Sequence, residues 1–277
     1  MQDRYAGDIG DFGKFYLLRK LKHSDDRIGV VWYAYPDEGH NNDGLHIGYL
    51  CDKCYQTLDK SLIEGLHTVV TKDLCNRSIE KIEHQNLLPL DTKYFSKKLP
   101  NSPYSNPERE KWLENALDAM SECNIIFLDP DNGLEVQSVK KGSGKAGKYL
   151  YYDEVVAFMK GKPIKTRSPE ICIIYHHLGR QGTHKEQILQ RMNELRKKLG
   201  QEGFSDLTIF SATFRPFSPR SFFIVTVEEK AAVIEKRLRK MFKEIMTLYK
   251  TCKGSMPWYF DKMDPVGNFQ ENIFVRT

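Results

Sequence analysis

A chain of 277 residues with 40% apolar and 12% aromatic side chains is too hydrophobic for a disordered segment and can bury a sizeable core. Its formal charge of +5 favours approach to a polyanion without establishing one. No segment reaches the roughly 20 apolar residues of a membrane span, the opening MQDRYAGDIGD is too polar for a signal peptide, and six scattered cysteines fit a reduced, cytoplasmic protein with no membrane partner.

The stretch YAGDIGDFGK (5–14) places three glycines and two aspartates before the helical spacing of 11–22, whose apolar face carries Phe12, Phe15, Tyr16 and Leu18. Backbone N–H groups around Gly10 and Gly13, with Lys14, form a pattern suited to an anion; the plain alternative is a turn with Asp11 as cap. IGVVWYAY (28–35) reads as a strand, and the loop behind it offers Asp37, Glu38 and Asp43 as acceptors for nucleoside hydroxyls, without a GxGxxG pattern. Cys51 and Cys54 form a CxxC that admits zinc with His46 and Cys75, although no second pair has matching spacing. Cys123 and Cys172 read as small buried hydrophobes.

Helical spacing follows over 78–88 and 106–120, the second with Asn106 as N-cap and Pro107 at its first position. The apolar strand NIIFLDP (124–130) then stops at its acids. In FLDPDNGLE (127–135), Asp129, Asp131 and Glu135 surround Pro130, Asn132 and Gly133. Two uses suit such a cluster: a clamp that accepts hydrogen bonds from an exocyclic amine, or oxygen ligands for a hard divalent cation. An Asx-turn with its acids in solvent is the bland reading. Because like charges repel, loss of one carboxylate is expected to leave stability unchanged or raise it slightly.

KKGSGKAGK (140–148) is a glycine-rich loop with Lys140, Lys141, Lys145 and Lys148, suited to phosphate contact, with Tyr149, Tyr151 and Tyr152 near enough to stack on bases. A helix is expected over 148–161, a strand over 170–178, and a helix over 184–200. The segment between the last two brings His176, His177, Arg180 and His184 behind the strand, as substrate-orienting or structural groups. Strands at 207–214 and 221–227 are joined by six residues, too few for a parallel crossover, so an antiparallel edge hairpin is expected, with Arg215 and Arg220 in its turn. A long helix over 228–250 completes a single domain, 1–250, and 251–277 reads as a C-terminal extension.

Apolar strands alternating with helices predict an α/β fold: a three-layer, Rossmann-like, mostly parallel sheet with an antiparallel edge hairpin. Ligands on such sheets bind beyond the carboxyl ends of the strands, which places residues 129–135 and the loops after Tyr35 and Tyr175 at one mouth.

GDFGKFYLLRKL (10–21) and IIFLDPDNGLE (125–135) together resemble the class I S-adenosylmethionine-dependent methyltransferases, in particular the adenine-N6 nucleic-acid enzymes. The first stretch looks like the family's N-terminal glycine- and lysine-bearing helix, which contacts the methionine carboxylate; the second matches its fourth strand through the first acid and the first proline. Asp131 and Asn132 stand where the family has a second proline and a stacking aromatic. AYPDEGHNNDG (34–44) replaces its glycine-rich cofactor loop.

The resemblance implies S-adenosylmethionine as cofactor, held by Gly10, Gly13, Lys14, Asp37 and Asp43. It implies catalysis by Asp129, Pro130, Asp131 and His177, with Asp129 and the Pro130 carbonyl accepting from the target amine. Nucleic acid would be the partner, held by Lys140, Lys141, Lys145, Lys148 and Arg180. Two other classes stay open: a nuclease in which Asp129, Asp131 and Glu135 hold Mg²⁺ with Lys145 or His177 near the phosphate, and a nucleic-acid-binding relative without catalysis.

Overall fold

Where the sequence is apolar on both faces it forms the middle of a sheet. β1 (Ile28–Trp32) and β3 (Ile125–Asp129) are buried at every position, and β6 (Ile171–His177) at five of seven. The computed structural model describes residues 1–38, 44–71, 77–100, 105–161, 169–252, 258–265 and 267–271. In it these strands pair in parallel, β3 lying between β1 and β6, with the short β2 (Lys93–Phe95) outside β1. β7 (Leu207–Phe214) and β8 (Arg220–Val227) pair antiparallel, and β8 also pairs antiparallel with β6. β9 (Trp258–Met263) and β10 (Phe269–Gln270) extend the same sheet, giving the order β10-β9-β7-β8-β6-β3-β1-β2. The protein is thus mixed α/β, its large sheet parallel on one side and antiparallel on the other.

Successive strand residues alternate between two apolar clusters. Val30, Trp32, Phe127 and Ile173 join residues of α1 (Ile9–Leu21), α3 (Lys60–Thr71) and α8 (Glu228–Thr251). Val31, Ile126, Leu128 and Ile174 join residues of α5 (Asn106–Ala119), α6 (Tyr152–Lys160) and α7 (His184–Gln201). Each such side chain contributes roughly 1.5–3 kcal/mol on leaving water, which is why the middle strands tolerate no polar residue until their carboxyl ends.

Several expectations change. The hairpin of β7 and β8 is internal, because β9, from the segment read as an extension, covers β7. Helix α5 starts from Ser105, whose backbone N–H and hydroxyl both donate to Glu108, and Asn106 is already helical. The helix expected over 148–161 begins at Tyr152, because a short strand β5 (Tyr149–Leu150) pairs with β4 (Gly133–Leu134). The sequence pattern did not single out α2 (Lys53–Leu58) or α3, and a short α4 (Ile79–His84) stands within the helix expected over 78–88.

Cys54 in α2 is bonded to Cys252 beyond α8, so the cysteines are not all reduced and the zinc reading loses a ligand. Cys123 and Cys172 are buried and Cys51 exposed, none of them in a disulfide, and Cys75 lies outside the described residues. Among the described residues no helix is long and apolar enough to cross a membrane.

Candidate active site

Parallel pairing sets the carboxyl ends of β1, β3 and β6 side by side, and Asp129, the last residue of β3, stands opposite Trp32 in register. The side chain is fully buried. From α1, Lys14 reaches across to it: Nζ lies 2.8 Å from Asp129 Oδ2 and 3.1 Å from Asp11 Oδ1. The ammonium also sits between the rings of Trp32 and Tyr175, at 5.9 and 5.2 Å from their centroids. Burial alone would push the Lys14 pKa down, but the charges of Asp129 and Asp11 outweigh it and hold the pKa above the usual lysine value. Burial raises the Asp11 carboxyl, although Lys14 and the Gly7 N–H at 2.8 Å pull the other way. The anion facing Lys14 is therefore the protein's own pair of carboxylates.

Asp129 Oδ1 makes no hydrogen bond among the described residues, and neither do Nε and Nη1 of Arg220, the first residue of β8. Both residues line one cleft of about 300 Å³, with Lys14, Pro130, Tyr175 and His177. Unpaired buried polar atoms cost free energy in isolation, so a cleft flanked by an open acceptor and open donors suits a ligand that carries both kinds of group. Gly10 lets the Arg220 guanidinium lie close: a Cβ would fall 2.8 Å from Nη1, so a side chain there would displace the head group. Gly13 serves packing, since its Cβ would meet the Phe214 ring at 2.7 Å.

Asp131 lines the same cleft but is occupied. It accepts from Gln2 Nε2 at 2.7 Å, and Lys148 Nζ lies 3.7 Å away while pairing also with Glu38. Asp37 is exposed, accepts from the Arg4 N–H at 3.2 Å and does not line the cleft. Asp43 lies outside the described residues.

The three acids of FLDPDNGLE do not gather. Gly133 has φ +109°, and a Cβ there would lie 2.2 Å from His176 Nδ1. This turn carries Glu135 away, to accept from the Tyr152 N–H at 2.8 Å. Among the described residues no group of three His, Cys, Asp or Glu side chains could hold a metal, so the expected Asp129, Asp131 and Glu135 set is not assembled. His176 sits under the turn, accepting from the Leu134 N–H at 3.0 Å; burial, then the nearby Arg191 and His177, lower its pKa to about 3, so the ring is neutral.

Beyond the turn lies a wide groove of about 1110 Å³, walled by residues 135–138, 179–181 and α7. It shares Asn132 and His177 with the cleft, so the two are neighbours. Arg180, Lys197 and Lys198 line it. Lys140 and Lys141 line an adjoining hollow, where Lys141 pairs with Asp153. Lys145 is exposed and lines neither the cleft nor the groove, and Lys148 belongs to the cleft. The lysines of 140–148 are thus divided among three places.

Sequence reasoning missed two groups. Arg220 was placed in a turn, whereas β8 begins with it and buries it. Arg109 on α5 is a buried anchor: Nε donates to Glu154 Oε1 at 2.5 Å, and Nη2 to the Tyr149 carbonyl at 2.7 Å. Nη1 donates to the Ala146 carbonyl at 3.1 Å, so this one side chain fixes the end of the glycine-rich loop. A lone arginine amid the charged pattern of 106–120 gave no signal of it.

A scan against protein-family models finds no match, and a search of curated proteins finds none either.

Proposed function

We propose that the protein is an S-adenosylmethionine-dependent methyltransferase acting on an exocyclic amine of a nucleic-acid base, with Asp129 as the group that receives that amine. The observation that carries the reading is the pair of Asp129 and Lys14: a carboxylate fixed by a buried ammonium at a strand end, beside a cleft, with Oδ1 buried and without a hydrogen-bond partner among the described residues. The sheet supports it as well. A reversed strand, β8, inserted between β6 and β7 beside a parallel run is similar to the sheet of the class I methyltransferases and fits a three-layer Rossmann-like arrangement, with a second reversed strand, β9, added outside β7.

The residues fit the cofactor in a changed division of labour. Lys14 is engaged by two carboxylates and serves to hold Asp129. The Arg220 guanidinium, whose Nε and Nη1 have no hydrogen-bond partner among the described residues, suits a carboxylate such as that of the methionine moiety, and Glu38, which lines the cleft, replaces Asp37 as a candidate acceptor. The cofactor, when bound, supplies an activated methyl group. Asp129 Oδ1 and the Pro130 carbonyl would accept the N–H groups of the target amine and orient its nitrogen for in-line displacement, in which the N–C bond would form as the S–C bond breaks, S-adenosylhomocysteine would leave and the surplus amine proton would pass to solvent. Asn132 and His177 line both the cleft and the groove, so a long substrate that enters one would lie beside the other. The Mg²⁺-dependent alternative has less support, because Lys14 already neutralises Asp129 and Glu135 turns away.

The test is transfer of labelled methyl from S-adenosylmethionine to total RNA or DNA by the wild-type chain and by Asp129→Ala. Transfer by the wild type alone is expected. No transfer, with Mg²⁺-dependent loss of plasmid or tRNA instead, would support the nuclease.

A further inference from the structure

The tip of the β7–β8 hairpin carries the second feature that folding alone does not explain. Phe217 has φ +61°, in the left-handed region where a large side chain is strained, and it is 68% exposed. A glycine or asparagine would occupy this position without strain, and a polar side chain without exposing an aromatic surface. Phe217 belongs to neither apolar cluster of the fold. It lies instead on the ring of His46, at 4.0 Å between centroids and 16° between planes.

The surroundings hold the ring in place. Phe217 stands between Pro216 and Ser218, and the Ser218 N–H donates to the Pro216 carbonyl at 2.8 Å. Ser218 Oγ lies 3.2 Å from His177 Nδ1, and the Leu178 N–H donates to the Pro219 carbonyl at 3.0 Å, so the tip is tied to the end of β6. His46 is tied to the start of α1: its N–H donates to Asp8 Oδ2 at 3.2 Å and its carbonyl accepts from the Ile9 N–H at 3.0 Å. His46, Ser218 and His177 all line the cleft that holds Asp129. A fixed, outward aromatic face therefore stands at the rim of that cleft.

We propose that Phe217, backed by His46, is a stacking platform for a planar purine ring whose remainder enters the Asp129 cleft. Aromatic faces take such rings without hydrogen-bond readout, and a ring already immobilised loses little entropy on binding. Two ligands bring a purine to this rim, a nucleotide of the substrate and the adenosine of the cofactor. The proposal rests on the methyltransferase reading only for the identity of the second.

The experiment compares the full-length wild type, Phe217→Ala and Phe217→Trp against three probes. These are S-adenosylhomocysteine, a short single-stranded RNA with one central adenine, and the same RNA with an abasic site at that position. Phe217→Ala is expected to weaken one ring-bearing probe roughly tenfold, to leave the abasic RNA unchanged, and to be rescued by Phe217→Trp. Loss confined to the RNA assigns the platform to the substrate base; loss confined to S-adenosylhomocysteine assigns it to the cofactor. Adenine-selective loss in a protein that does not bind S-adenosylhomocysteine sinks the methyltransferase reading and leaves the platform standing. Equal affinities for the wild type and Phe217→Ala, equal losses with and without the adenine, or a wild type that binds neither ring-bearing probe would each overturn it.

Discussion

Lys14 Nζ and Asp129 Oδ2 lie 2.8 Å apart across 115 residues of sequence, both side chains almost wholly removed from solvent. Both residues line the cleft, and a buried ion pair argues against the simple expectation that Asp129 is a destabilising member of a repelling cluster. Lys14→Met leaves two buried carboxylates without their cation and should cost about 3–5 kcal/mol. Asp129→Ala leaves Lys14 beside Asp11 and should cost less, about 1–3 kcal/mol. Chemical denaturation of the two variants checks the order; an Asp129→Ala protein as stable as the wild type would contradict the pair's role.

The buried His176 sets an acid limit. In the unfolded chain its imidazole binds a proton below about 6.5, whereas the folded one resists until about 3. Proton uptake in that window therefore favours unfolding, and stability should fall with falling pH by at most about 1.4 kcal/mol per unit from this group. His176→Gln keeps an acceptor for the Leu134 N–H but does not titrate. Its stability profile between pH 6.5 and 3 should be shallower than that of the wild type; parallel profiles would show that the ring is protonated in the fold.

Much of this was legible in the sequence, for physical reasons that also explain the rest. Strands buried on both faces are apolar at every position, so β1, β3 and β6 declared themselves, and the acids at the end of β3 marked the mouth. β2 has one exposed and two half-buried residues and no such pattern, and β9 needed the uncovered edge of β7 to explain it. Lys14 and Asp129 were each singled out from their own surroundings, but only tertiary structure makes them partners. Glu135 was grouped with Asp129 because the residues are close in sequence; the left-handed Gly133 separates them in space.

The bond between Cys54 and Cys252 closes a loop over 198 residues of separation, which by chain entropy alone is worth up to about 5 kcal/mol. Reductant should lower the melting temperature of the wild type and leave that of Cys252→Ser unchanged. Identical melting of the wild type with and without reductant would contradict a stabilising bond.

The wide groove should take a phosphate backbone along α7. Lys197→Glu combined with Lys198→Glu should weaken binding of single-stranded RNA and reduce the salt slope of log Kd by about 1.4, as expected for two lost phosphate contacts. Fluorescence anisotropy over a range of salt concentrations reads both effects. An unchanged slope would place the backbone elsewhere.

Calorimetric titration with S-adenosylhomocysteine bears most directly on the cleft formed by Asp129, Lys14 and Arg220. Saturable binding at one site is expected for the wild type, weakened roughly thirtyfold in Arg220→Gln by the loss of about 2 kcal/mol from a buried charged partner, with the melting temperature nearly unchanged. A wild-type protein that binds no S-adenosylhomocysteine at millimolar concentration, or an Arg220→Gln variant that binds it as tightly as the wild type, would contradict the assignment.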